Sequence, residues 1–162
     1  MYHSYIYPYL IYCIESWGNA AACHIYPLII LQKRIVRLIT FSNYDASSDA
    51  IFKDLYILPL QKLVYNRIGI MMYKYVNGLL PQVMNELYTC NSDIHEHFTR
   101  QRHLLHTSRS KTNVFMNSFT NVSPRIWNAL QKKINVNVSI SIFKRSLKSF
   151  LQFHTLEVIY PK

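Results

Sequence analysis

Acidic side chains are scarce, with 8 Asp+Glu against 18 Lys+Arg in 162 residues. Asp45, Asp49 and Asp54 are the nearest to a cluster, and no Asp-Asp pair occurs. Two-metal nucleotidyl transfer needs grouped carboxylates to hold the ions that bind the attacking and leaving oxygens. Those three flank a polar break, where capping a helix accounts for them. Glycine is scarcer still, at 3 residues. No G-x-x-x-x-G-K or G-x-G-x-x-G loop can therefore cradle a phosphate, and no G-x-S-x-G turn presents a nucleophile. Cys13, Cys23 and Cys90 form no C-x-x-C unit, which argues against a disulfide scaffold or a cysteine-rich zinc module and fits a reducing compartment. The apolar run Tyr2–Ile14 is shorter than the roughly 20 residues that a membrane span requires. No Lys or Arg precedes Lys33, so Ala20-Ala21-Ala22 lacks the positive lead of a secretory signal. An intracellular, nuclear or cytoplasmic chain is expected. Because Met1 opens inside an apolar pattern without a polar lead-in, a piece of something longer is also expected.

Apolar residues are plentiful, at 50%, while charged ones make up 16%; the length suits one modest domain with a buried core. The net charge of +10 is unevenly placed. Residues 1–96 balance seven basic against seven acidic side chains, whereas residues 97–162 carry eleven basic ones against Glu157 alone. Charge concentrated in this way implies an anionic partner. Twelve of the 13 tyrosines lie at or before Tyr88, away from that excess. They are read as core or half-buried packing, because base-stacking aromatics should share a surface with cations.

The periodicity is helical. Leu28, Leu31, Ile35, Leu38 and Ile39 predict one apolar face, with Gln32, Lys33, Arg34 and Arg37 opposite and Pro27 in the first turn. Leu60, Val64, Ile68, Met71, Met72 and Tyr75 predict a second helix between Pro59 and Asn77-Gly78, weakened slightly by Gly69. Pro81–Tyr88 reads as a shorter helix, and Ser123-Pro124 as a cap and first turn ahead of Ile126, Trp127, Leu130 and Ile134. Ser139 heads a helix with Ile140, Phe143, Leu147, Phe150 and Leu151 on one side. The expected fold is mainly α, a small helical bundle with an irregular or short β segment near residues 112–122 and a C-terminal amphipathic helix. Trp17, Leu31, Leu38, Met71, Trp127 and Phe143 are expected inside.

Cys90, His95, His97, His103 and His106 are the most metal-like set, but their spacing matches no common zinc pattern. No metal, cofactor or catalytic residue is expected. The candidate nucleic-acid-binding residues are Lys33, Arg34 and Arg37; Arg100 and Arg102; Lys132 and Lys133; and Lys144, Arg145 and Lys148. Such cations bind phosphates without reading sequence. Lys132 and Lys133 also suit the negative end of a helix. The basic amphipathic segment Ser139–Phe153 raises peripheral membrane binding as a further reading.

Several motifs occur in a familiar order: Tyr9-Leu10-x-Tyr12-Cys13-x-x-x-Trp17-Gly18, Leu31-Gln32-Lys33-Arg34-Ile35-x-Arg37, Asp49-x-x-Phe52-x-x-Leu55-x-Ile57-Leu58-Pro59-Leu60, Leu80-Pro81, Thr99-Arg100, Trp127-Asn128-x-Leu130 and Phe143-Lys144-x-x-Leu147-Lys148. This set resembles the region following the polymerase core of jockey-like non-LTR (LINE-type) retrotransposon reverse transcriptases. The likeness spans nearly the whole chain, with Gln131 standing where that family usually has proline. It implies a thumb-like region over residues 1–88 and a basic His/Arg-rich connection and C-terminal helical region over 89–162. It also implies that Lys33, Arg34 and Arg37 are thumb-helix cations against a template–primer duplex, and that the catalytic carboxylates lie outside this chain. The expected partners are RNA or DNA backbone and the missing polymerase core. The alternative is a helical interaction module that associates with itself through Tyr2–Ile14.

Overall fold

A computed structural model describes residues 1–84, 86–94, 99–109, 111–154 and 156. The helices are α1 (Tyr2–Tyr5), α2 (Tyr7–Ile11), α3 (Ile14–Trp17), α4 (Ala22–Ile39), α5 (Ser48–Asp54), α6 (Leu60–Val76), α7 (Asn91–Ile94), α8 (Asn113–Met116), α9 (Phe119–Gln131) and α10 (Ile140–Phe153). The fold is a small, mainly helical bundle.

α6 is its axis. Leu60, Leu63, Val64, Ile68 and Met72 supply a continuous apolar side, and Tyr65, Asn66, Gly69 and Tyr73 are buried as well. A helix enclosed on so much of its circumference needs neighbours all round, and α3, α9 and α10 provide them. Pro59 stands at the N-cap with extended backbone. Gly78, at φ +65°, closes the far end, its N–H donating to the Tyr75 carbonyl at 3.1 Å while the Leu79 N–H reaches the Lys74 carbonyl at 2.8 Å. Two such bonds beyond a left-handed residue make a Schellman motif. Gly69, a weak helix former by itself, is where side chains of α9 and α10 both press against α6. A Cβ there would lie 2.9 Å from both Leu130 Cδ1 and Leu147 Cδ2.

α10 follows its predicted pattern. Phe143, Leu147 and Leu151, four residues apart, are fully buried against α6 and α9. Tyr73 stacks on Phe143 at 4.5 Å, and Trp127 lies 6.0 Å from the same ring. The division after residue 88 therefore does not divide the core, since α6 belongs to one sequence region and its two main neighbours to the other.

α4 departs from its predicted register. Ile25, Gln32 and Val36 are its buried residues, whereas Leu31 and Leu38 are 52% and 76% exposed. Relative to the expected stripe the helix is turned by about one residue, roughly 100°. The cause is Gln32. Its Nε2 donates to the Tyr2 hydroxyl at 2.7 Å and the Leu58 carbonyl at 3.1 Å, and its Oε1 accepts the Leu60 N–H at 2.8 Å. That N–H belongs to the first turn of α6, where a helix has no partner of its own to offer. One buried amide thus ties α1, the connector and α6 together.

Other expectations are corrected too. Residues 112–122 are largely helical (α8 and the start of α9), with Thr112 Oγ1 accepting the Phe115 N–H and Ser118 at the N-cap of α9. Pro124 sits inside α9 and Pro27 inside α4, each beyond the first turn. Among the described residues of the Pro81–Tyr88 segment, a 3-10 turn at Gln82–Met84 stands in place of the expected helix. Trp17 and Met71 are half-buried. Tyr5, Tyr9, Tyr12, Tyr26, Tyr44 and Tyr56 are exposed, so half of the described tyrosines are not core.

Candidate nucleic-acid interface

The stripe that buries Phe143, Leu147 and Leu151 leaves Lys144, Arg145 and Lys148 on the remaining circumference, within an arc of about 100°. All three are exposed, and none has an acidic partner among the described residues. One turn beyond Lys148, Gln152 Nε2 donates to the Phe52 carbonyl at 3.1 Å, bringing the end of α10 onto α5. There the Lys62 ammonium reaches the Gln152 carbonyl at 3.4 Å. Burial holds the Lys62 ammonium below its ordinary pKa, the Lys53 charge adds to that effect, and Asp49 opposes it. Lys53 and Lys62 therefore extend the positive region beside α10. Sequence reasoning missed both, because the contacts that gather them join residues 90 and 100 positions apart.

The other predicted cations stand differently. Arg37 Nε donates to the Ala46 carbonyl at 2.9 Å, and its guanidinium carbon lies 6.0 Å from the Tyr44 ring centre. It clasps the loop between α4 and α5. Lys33 is half-buried and Arg34 exposed. Arg67, with no predicted role, pairs with Glu15 at 3.2 Å. Lys132 and Lys133 are exposed at the C-terminal end of α9, where positive charge complements the helix dipole. Arg100 and Arg102 are exposed on a loop fixed to α9 by Asn128, which exchanges hydrogen bonds with the Leu105 backbone at 3.1 and 2.8 Å. Arg100, Asn91 and His106 border a polar depression of about 380 Å³ on that loop. The structure brings together the α10 set and leaves Arg37 occupied with its own loop.

His95 and His97 lie outside the described residues. Among the described residues no three His, Cys, Asp or Glu side chains gather as a metal site would need. His106 Nδ1 is 3.2 Å from Asn91 Oδ1. Asp49 occupies the first turn of α5, where a carboxylate favours the helix dipole.

Beside Lys148, α1 and the connector after α5 enclose a depression of about 140 Å³. Burial raises the Tyr2 hydroxyl above its ordinary pKa, against the opposing Gln32 hydrogen bond. That hydroxyl stays protonated at neutral pH. A second, almost wholly apolar groove of about 280 Å³ runs between α1–α2 and the exposed edge of α4, lined by Tyr5, Tyr9, Trp17, Leu28 and Leu31 among others.

The chain matches no family model, and neither a curated protein nor a solved structure is significantly similar to it. Among the described residues no helix is long and apolar enough to cross a membrane. Phe143, Leu147 and Leu151 of α10 are already in the core, so the centre of its apolar stripe is not presented to a membrane surface.

Proposed function

We propose that this chain is a non-catalytic nucleic-acid-binding piece, the thumb and post-thumb portion of a jockey-like non-LTR reverse transcriptase. It holds phosphate backbone without reading sequence. The observation that carries this reading is the α10 face, where Lys144, Arg145 and Lys148 stand exposed with no acidic partner among the described residues. Charges so arranged gain most by meeting a polyanion and releasing its counterions. The ordered motifs supply the family, and the scarcity of carboxylates supports a role without bond-making.

The test is the affinity for an RNA–DNA hybrid or DNA duplex measured against salt. Three to five contacts predict a slope of log K on log salt of about −3 to −4.5. Duplexes of unrelated sequence should bind alike. A flat salt response, or affinity for one sequence only, would contradict the reading.

Self-association is a second reading, favoured by the apolar groove beside α4 and by exposed Tyr5, Tyr9 and Leu31 along it. Large exposed apolar patches are sites of association. Sedimentation at rising protein concentration separates the two, since a chain that stays monomeric leaves phosphate binding alone.

A further inference from the structure

We infer that the depression beside Lys148 is a pocket for one unpaired nucleobase, with the attached phosphate at the lysine. Tyr2, His3, Tyr7 and Tyr56 supply aromatic walls, Asn66 a buried amide, and Lys148 a cation. His3 meets Tyr2 and Tyr7 edge-on, at 5.5 and 5.3 Å between ring centres. The volume of about 140 Å³ is below the roughly 300 Å³ at which pockets for drug-sized molecules begin. It suits a single planar heterocycle.

Asn66 supplies the polar contact. The residue is 8% exposed, and its Oδ1 is buried without a hydrogen-bond partner among the described residues. A buried amide in that condition costs stability unless something else satisfies it. An amide offers one acceptor and two donors, the complement of a base edge. Unpaired bases are held in this way, by aromatic stacking together with hydrogen bonds to their edges. A base in a duplex hides both its faces and its pairing edge, which restricts the pocket to single strands, strand ends or free nucleotides.

Tyr56 borders the depression. It occupies the C′ position after α5, with φ +52°, and completes a Schellman motif. Its N–H donates to the Lys53 carbonyl at 3.1 Å, and the Ile57 N–H donates to the Phe52 carbonyl at 3.0 Å. Glycine is the usual residue there because a side chain is strained in the left-handed region. The Tyr56 ring is 67% exposed, so burial gives little in return. The Tyr56 side chain thus stands mostly open to solvent at the mouth of the aromatic pocket, where it can cover what enters.

This inference deepens the phosphate-binding reading and rests on it through Lys148. The probes are adenosine monophosphate, a short oligoadenylate, an abasic strand of equal length, and a blunt duplex. Oligoadenylate should bind about tenfold more tightly than the abasic strand, as stacking of one base predicts. Tyr56→Gly should erase that difference while leaving duplex affinity and its salt slope unchanged. It should not unfold the protein, because glycine relieves the backbone. Asn66→Leu, near in size and without the orphaned oxygen, should do the same. Saturable binding of adenosine monophosphate, lost in both variants, would show that a free nucleotide also enters. Equal affinity for oligoadenylate and the abasic strand overturns the pocket, as does an undiminished difference in folded Tyr56→Gly. Neither result touches duplex binding, so failure here is distinct from failure of the phosphate-binding reading. That earlier reading fails if duplex affinity is insensitive to salt.

Discussion

α4 and α10 each carry three cations on a surface helix, yet their cations have different tasks. In α10 Phe143, Leu147 and Leu151 are buried, Ile140 and Phe150 are half-buried, and Lys144, Arg145 and Lys148 are left to solvent. In α4 the buried line runs through Gln32, Leu31 and Leu38 are outside, and Arg37 is bound to Ala46. The same composition of basic and apolar residues thus leaves all three cations of one helix free of acidic partners among the described residues, whereas in the other Arg37 fastens a loop. The lesson is that a cation counts toward a binding surface only after its bonds within the fold have been subtracted.

That contrast can be broken by reversing charge on each helix separately. Lys144, Arg145 and Lys148 changed together to Glu should weaken binding to every duplex by about a thousandfold, since three attractions become three repulsions. Lys33 and Arg34 changed to Glu should cost less than about tenfold. Equal losses in a filter-binding or fluorescence titration would erase the distinction between the helices. The next largest effect is on stability. Gln32→Ala should lower the unfolding free energy by about 3 kcal/mol, because it strands the buried Leu60 N–H and Leu58 carbonyl. Urea denaturation with an unchanged m-value would measure this. A loss below about 1 kcal/mol would return Gln32 to the polar face. The smallest effect sharpens the picture of the α4 end. Phe41 is 96% exposed at φ +52°, and its N–H and that of Ser42 close a Schellman motif on the Leu38 and Arg37 carbonyls. Phe41→Gly should therefore stabilise the fold by about 1 kcal/mol. No gain in melting temperature would mean that the Phe41 ring does something for the fold which its exposure does not reveal.

The parts of the fold legible in the sequence were those where hydrophobicity alone sets the register. α6 and α10 have unbroken apolar spacing and came out with the expected ends; their buried faces follow the spacing except that Met71 and Tyr75 of α6 are half-buried. α4 was misread because a glutamine occupies the buried line, and periodicity cannot show that an amide is needed to cap another helix. In residues 112–122 Val114, Met116 and Phe119 suggest extended structure, but Thr112 and Ser118 are the N-caps of α8 and α9. Of the candidate interface, the α10 triad was visible as a charged helix face. Lys53 and Lys62 were not, since only the meeting of α10 with α5 and α6 gathers them. The aromatic depression was invisible for the same reason, as its walls come from α1, the connector, α6 and α10.

The position of α6 has a mechanical corollary. It lies in the charge-neutral stretch of the chain but is sheathed by α9 and α10 from the cationic stretch. A single cut in the exposed Thr107–Arg109 segment would sever the peptide without freeing either part, since each would still be gripped by the other's side chains. The positive face therefore cannot swing as a separate arm. It is packed onto the tyrosine-rich half through the buried side chains that α10 shares with α6.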